Sequence, residues 1–152
     1  IKAAFVTADE REDVARDEGG RALLNLGHTF AHALEPIPTL SPSGNRRDAP
    51  LKHGEAVGLG LVAASHASAA MGRLSGGEVE RIGGGVRGAG LPTAVSGLPS
   101  TKALLSAMAR DKKSVGDALR LVLPQGIGRA SVVSDPAREV VEAGIEAIRR
   151  RS

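Results

Sequence analysis

The stretch KHGEAVGLGLVAASHASAAM, residues 52–71, decides the fold. Its two charged side chains, Lys52 and Glu55, stand at the start, and Ala, Gly, Leu, Val and Ser make up most of the rest. A run of this length with no polar face predicts a largely buried α-helix. Gly58 and Gly60 lower helix propensity and predict close packing against a neighbouring element. Charge, Gly and His interrupt every apolar stretch of the chain, so no transmembrane span is expected.

Before this helix, residues 36–50 (PIPTLSPSGNRRDAP) hold four of the eight prolines and read as a loop, long for a compact domain and therefore mobile or functional. From Arg21 to Glu35 the pattern is helical again, with Leu23, Leu26, Phe30 and Leu34 recurring at spacings of three and four. Residues 9–20 (DEREDVARDEGG) read as a surface loop or frayed helix, and residues 1–8 as a strand or helix end.

After it, Gly83-Gly84-Gly85 is expected to interrupt any helix, and its spacing matches neither a P-loop nor a dinucleotide fingerprint. Residues 100–110 predict a helix capped by Ser100, with Leu104, Leu105 and Met108 on one face and Asp111-Lys112-Lys113 closing it. Leu119–Leu123 and Arg129–Val133, separated by Pro-Gln-Gly-Ile-Gly, predict a β-hairpin. Residues 135–151 read as a last helix, with Asp135 as cap and Pro136 at its first position. The expected architecture is mainly α, with a small hairpin and a tightly packed core of Leu, Val, Ile and Ala.

Composition narrows the function. With 152 residues, 41% hydrophobic and 24% charged, the chain is sized for one folded domain. It has no Cys, which excludes thiolate metal sites. The net charge is only +3, and with two Phe and no Tyr or Trp there is no stacking platform for single strands, so nucleic acid is not an expected partner. The basic run Arg149-Arg150-Arg151 reads as a solvated helix end favoured by the helix dipole. No secretion signal stands at the N-terminus, so a cytoplasmic location is expected; the start at Ile1 rather than Met suggests a fragment.

The histidines point to chemistry. His28 and His32 are four residues apart, on one helix face, and His53 opens the next helix. Imidazoles from two packed helices can share one divalent metal, although ordinary core or capping histidines fit the same spacing. Glu35, Asp48 and Glu55 lie nearby in sequence, but spacing forces none of them into the site. His66 stands outside these motifs and reads as an ordinary helix histidine.

The stretch from Arg21 to Glu35, RALLNLGHTFAHALE, resembles the RxxLNxGHTxGHAxE signature of the 3-dehydroquinate synthase family. His53-Gly54-Glu55-Ala56-Val57 is similar to that family's HGEAV element, and Asp111-Lys112-Lys113 followed by Leu119–Pro124 and Ile127-Gly128 to its DKK–strand–IG segment. Lys2 and Asp9–Glu12 resemble the preceding KxxVVxxDExE stretch, so the matches run in family order along nearly the whole chain.

The resemblance implies the helical C-terminal domain of the dehydroquinate synthase-like fold. It implies His28 and His53 as ligands of a divalent metal, zinc or cobalt, and His32 as a substrate-contacting histidine. Arg21 and Asn25 become substrate-binding residues, Lys2 an active-site lysine, and one of Lys112 and Lys113 a carboxylate-binding residue. Glu55 is implied to cap or hydrogen-bond rather than ligate. The implied substrate is 3-deoxy-D-arabino-heptulosonate 7-phosphate, whose anionic ends suit Arg and Lys. NAD and a third metal ligand, a glutamate, would come from an N-terminal half absent from this chain. The working protein is then a homodimer, and the chain by itself inactive.

Four departures from the family pattern stand out: the missing half, Ala31 in place of a Gly, extra residues between Glu12 and Arg21 and between Glu35 and Lys52, and the triple glycine where a regular helix is usual. The methyl of Ala31 is expected to crowd a tight helix contact. The competing readings are another sugar-phosphate cyclase, an iron-type alcohol dehydrogenase domain, and a degenerate, non-catalytic helical module.

Overall fold

The computed structural model describes residues 23–115 and 118–151, with the backbone alone for Leu23 and residues 111–115. In chain order the elements are a 3-10 turn (Leu23–Asn25), α1 (His28–Leu34), a second 3-10 turn (Arg46–Asp48), α2 (His53–Ala70), α3 (Gly76–Gly88), α4 (Thr101–Val115), β1 (Arg120–Pro124), β2 (Ala130–Ser134) and α5 (Arg138–Ala147). The fold is mainly α with one antiparallel hairpin, as the sequence predicts.

The helix read from residues 52–71 is the centre of the molecule. α1, α3, α5 and β1 all pack on α2, and α4 closes the far side against α1 and α5. Because neighbours surround it, α2 buries residues on every face, including Ala56, Leu59, Val62, Ala63, Ala64 and Ala67. Its two buried serines are satisfied internally: Ser65 Oγ donates to the Val62 carbonyl at 2.8 Å, and Ser68 Oγ donates to the Pro124 carbonyl at the end of β1.

Small residues set how closely these elements approach. A Cβ built at Gly58 would stand 3.1 Å from Leu91 Cβ and 3.3 Å from Val86 Cγ1. One at Gly144 would stand 2.7 Å from the Ala63 carbonyl oxygen and 2.9 Å from Phe30 Cζ, so α5 crosses α2 nearly backbone to backbone. Phe30, Leu59, Leu121, Leu123, Val141, Ile145 and Ile148 fill the remaining core. Ala31 is wholly buried within this cluster, which accommodates its extra methyl.

The hairpin pairs Arg120 with Ser134 through to Pro124 with Ala130. β1 is its buried strand and β2 its outer one. Among the described residues no helix is long and apolar enough to cross a membrane.

Several expectations need correction. The helix read from Arg21 to Glu35 is broken at Leu26-Gly27, where Gly27 takes a left-handed φ of 79° and α1 starts afresh at His28. The triple glycine does not break α3. A Ser75–Glu78 capping box starts that helix, and together with the packing of α3 on α2, which buries Val86, it offsets the cost of about 1 kcal/mol per Gly. The last helix starts at Arg138 with Ala137 as N-cap, not at Asp135-Pro136. Asp135 instead holds a φ of 46° and donates its amide to the Leu119 carbonyl at 2.7 Å, extending the hairpin where the sequence predicts a helix.

Arg149 is not a solvated helix-end residue either. It lies behind residues 98–101 and donates to the carbonyls of Leu98 (2.9 Å) and Pro99 (2.8 Å), because that segment has carbonyls without helix or strand partners. The loop 36–50 is anchored rather than loose: Leu40 is fully buried, Ser41 bridges to Ser96, and Arg150 donates to the Pro42 carbonyl. Helix α4 runs to Val115, past Asp111-Lys112-Lys113.

Candidate active site

Two helix starts meet at the site. His28 is the first residue of α1 and His53 the first residue of α2. The break at Gly27 creates the first of these starts. Without a side chain at Gly27 or Gly60 the backbones of α1 and α2 come into contact, and that contact brings the imidazoles of the two helices close together.

The His28 ring stands between the other two. Its centroid is 5.7 Å from that of His53, with ring planes at 63°, and 5.8 Å from that of His32, with planes at 89°. Two imidazoles on one tetrahedral zinc, at Zn–N distances of about 2.1 Å, bring their centroids to about 5 Å. Ring separation therefore fits either pair, and hydrogen bonding must distinguish them.

His28 Nδ1 lies 3.3 Å from the Leu26 carbonyl oxygen. A carbonyl only accepts, so the contact requires Nδ1–H and, in the neutral ring, leaves the lone pair on Nε2. His53 Nδ1 is held by the carboxylate of Glu35, which also only accepts when ionised. In the neutral ring each contact places the proton on Nδ1 and leaves the lone pair on Nε2, as the acceptors behind metal-bound histidines do. His32 is exposed, and the structure gives it no such Nδ1 partner among the described residues.

Glu55 accepts the Lys52 amide at 2.8 Å at the start of α2, so it caps that helix as expected. Thr29, the residue after His28, donates its hydroxyl to the Arg120 carbonyl at 3.0 Å and ties the start of α1 to β1. Asn25 is exposed in the turn just before the histidines. Lys112 and Lys113 belong to the last turns of α4, where the backbone alone is described. Lys2 and Arg21 lie outside the described residues. Among the described residues no group of three His, Asp or Glu side chains forms a metal-binding set.

Of the carboxylates that spacing leaves unassigned, Glu35 is the one in contact with a site histidine. Its signal is nonetheless there: His28, His32 and Glu35 stand at i, i+4 and i+7, one stripe of a helix.

Fold and site together define a helical domain that gathers two imidazoles of α1 with the imidazole that opens its central helix, the last in contact with the Glu35 carboxylate. Residues 1–114 match the family described as 3-dehydroquinate synthase C-terminal, and the chain belongs to that family. It is 43% identical over 145 residues to the 3-dehydroquinate synthase of Rhizobium etli (strain CIAT 652), covering 92% of this chain and 36% of the relative. It is 46% identical over 125 residues to the 3-dehydroquinate synthase of Xanthomonas campestris pv. campestris (strain 8004), covering 80% and 33%. The chain thus spans about a third of the length of the curated relatives it matches.

Among solved structures it resembles the 2-epi-5-epi-valiolone synthase ValA from Streptomyces hygroscopicus subsp. jinggangensis 5008, determined with NAD+ and Zn2+ bound. The TM-score is 0.64 at 23% identity, covering 95% of this chain and 36% of that one, a likeness of fold.

Proposed function

We propose that this chain is the C-terminal metal- and substrate-binding domain of a 3-dehydroquinate synthase. The whole enzyme would convert 3-deoxy-D-arabino-heptulosonate 7-phosphate to 3-dehydroquinate and phosphate. The observation that carries the reading is the neighbouring pair His28 and His53, each with Nδ1 held and its centroid 5.7 Å from the other's. These donors suit half of a tetrahedral set, and a third ligand would come from the part of the relatives' length that this chain does not span. A bound zinc or cobalt ion would hold substrate hydroxyls and acidify the one that is oxidised.

The chain's own residues then bind and orient. His32, exposed beside His28, is proposed to contact substrate. Arg21, Asn25 and the pair Lys112 and Lys113 are proposed to meet its phosphate and carboxylate with charge-assisted bonds, and Lys2 to complete the polar wall. By holding one conformer of a flexible sugar acid, such contacts lower the entropy cost of the ring-closing step. Hydride transfer needs NAD, proposed to sit on an N-terminal half, so the chain alone is proposed to be inactive. The working enzyme is proposed to be a cytoplasmic homodimer.

The same helical frame in a valiolone synthase makes a different cyclase the alternative, but relatives at 43% and 46% identity carry the dehydroquinate synthase name and the valiolone synthase stands at 23%. Assaying the full-length protein for both products, with zinc analysis of wild type and His28→Ala, tests the reading. Formation of 3-dehydroquinate, with zinc lost in the variant, is expected. Valiolone formation alone, or unchanged zinc content in His28→Ala, would overturn it.

A further inference from the structure

We infer that Glu35 is a positioning residue for His53: its carboxylate holds Nδ1, fixes the ring and its tautomer, and so aims Nε2 into the space shared with His28. The inference rests on the proposal that His28 and His53 bind the metal.

Three observations carry it. The Glu35 carboxylate contacts His53 Nδ1 directly, across eighteen positions of sequence, joining the end of α1 to the start of α2. The contact is made from a fixed backbone, since the Glu35 amide donates to the Ala31 carbonyl at 3.0 Å and continues the α1 ladder. The carboxylate also sits at a helix C-terminus, where the helix dipole disfavours negative charge, so its placement is not explained by helix stability.

The geometry separates this role from ligation. An oxygen in line with Nδ1 lies away from the direction of the Nε2 lone pair on the same ring. Glu35 in this position orients a ligand and does not itself complete the metal's coordination. His53 is 65% exposed at its side chain, so little else packs around the ring to fix its rotation. Without the carboxylate, the imidazole would turn freely and exchange tautomers, and a metal would have to order it on binding.

The test uses the full-length protein in wild-type, Glu35→Ala, Glu35→Gln and His53→Ala forms. Zinc affinity is measured by chelator competition. The His53 tautomer is read from ring nitrogen NMR shifts in the metal-free protein, and thermal unfolding is followed as a folding control. Glu35→Ala is expected to weaken zinc binding about 10–100-fold. It should also move the His53 nitrogens from an Nδ1–H pattern to an averaged one, with the unfolding midpoint little changed. Glu35→Gln, whose amide oxygen still accepts from Nδ1–H, is expected to restore most of both readouts. Wild-type zinc affinity and an unmoved tautomer in Glu35→Ala, while His53→Ala loses zinc, would overturn the inference and spare the metal assignment. Unchanged zinc content in His53→Ala would overturn both.

Discussion

Gly27 and Gly60 touch through their backbones: a Cβ built at Gly60 would run into the Gly27 carbonyl oxygen and stand 3.0 Å from its carbonyl carbon. In return, a Cβ built at Gly27 would stand 2.8 Å from the Leu61 amide nitrogen. This contact is the hinge of the site, because His28 follows Gly27 directly and His53 lies two turns before Gly60 on α2. Gly60→Ala is therefore expected to push α1 off α2. Overpacking of this kind costs about 1–3 kcal/mol, to be read as a lower midpoint in denaturant. Zinc affinity should fall with it, since the imidazoles of His28 and His53 separate.

Gly85→Ala should do the opposite. Gly85 lies inside α3, and an added Cβ there meets nothing within 4 Å. Removing backbone freedom without a clash is expected to stabilise the fold by about 0.5–1 kcal/mol. Thermal unfolding of the variant against wild type checks it, and an unchanged or lower midpoint would contradict the account of α3 as a continuous helix.

Arg149→Ala removes the donors that satisfy the Leu98 and Pro99 carbonyls and contact Thr101 and Glu146. A loss of about 1–3 kcal/mol is expected, measured as a lower midpoint in denaturant. Arg149→Lys should recover only part, because an ammonium cannot span both carbonyls as the planar guanidinium does.

Glu146 supplies a pH dependence. The Thr101 hydroxyl, with Arg149 beside it, holds its carboxyl below the usual carboxylate range. A depressed folded-state value means that the unfolded chain binds the proton more readily. The stabilisation is therefore present above the unfolded carboxylate's pKa and is lost as pH falls through the folded one. Stability measured from neutral pH downward should fall less steeply in Glu146→Gln than in wild type. The difference should be small and shrink with added salt, since the Glu146 side chain is 51% exposed.

His32→Ala separates the histidines by role. Exposed, and with no Nδ1 partner among the described residues, His32 is expected to leave zinc content of the full-length protein unchanged on removal. Turnover is expected to fall by about 10²-fold, as for loss of a contact that positions substrate. Loss of zinc in this variant would exchange the roles of His32 and His53.

Much of the candidate site is legible in the sequence. The i, i+4 spacing of His28 and His32 and the start of α2 at His53 need only helical periodicity and the ordered motifs around them. Glu35 continues the same stripe, yet spacing assigns it no role, because its partner lies on another helix and periodicity cannot see across a loop. Arg149 misleads for a related cause. Three consecutive arginines look like a solvated tail, and only the chain crossing at residues 98–101 gives the first of them carbonyls to satisfy.

The sequence by itself determined the helical class, the buried central helix and its close-packed glycines, the hairpin, and the family to which the motifs belong. Those features depend on periodicity, composition and local turn chemistry, which a chain carries in one dimension. Tertiary structure alone decided where the helix before the site breaks, that three glycines in a row still form a helix, and which carboxylate orients His53. Each of these turns on a neighbour remote in sequence: Gly60 behind Gly27, α2 behind α3, and Glu35 beside His53. Packing energy outweighed local preference at the first two, and geometry across elements chose the third.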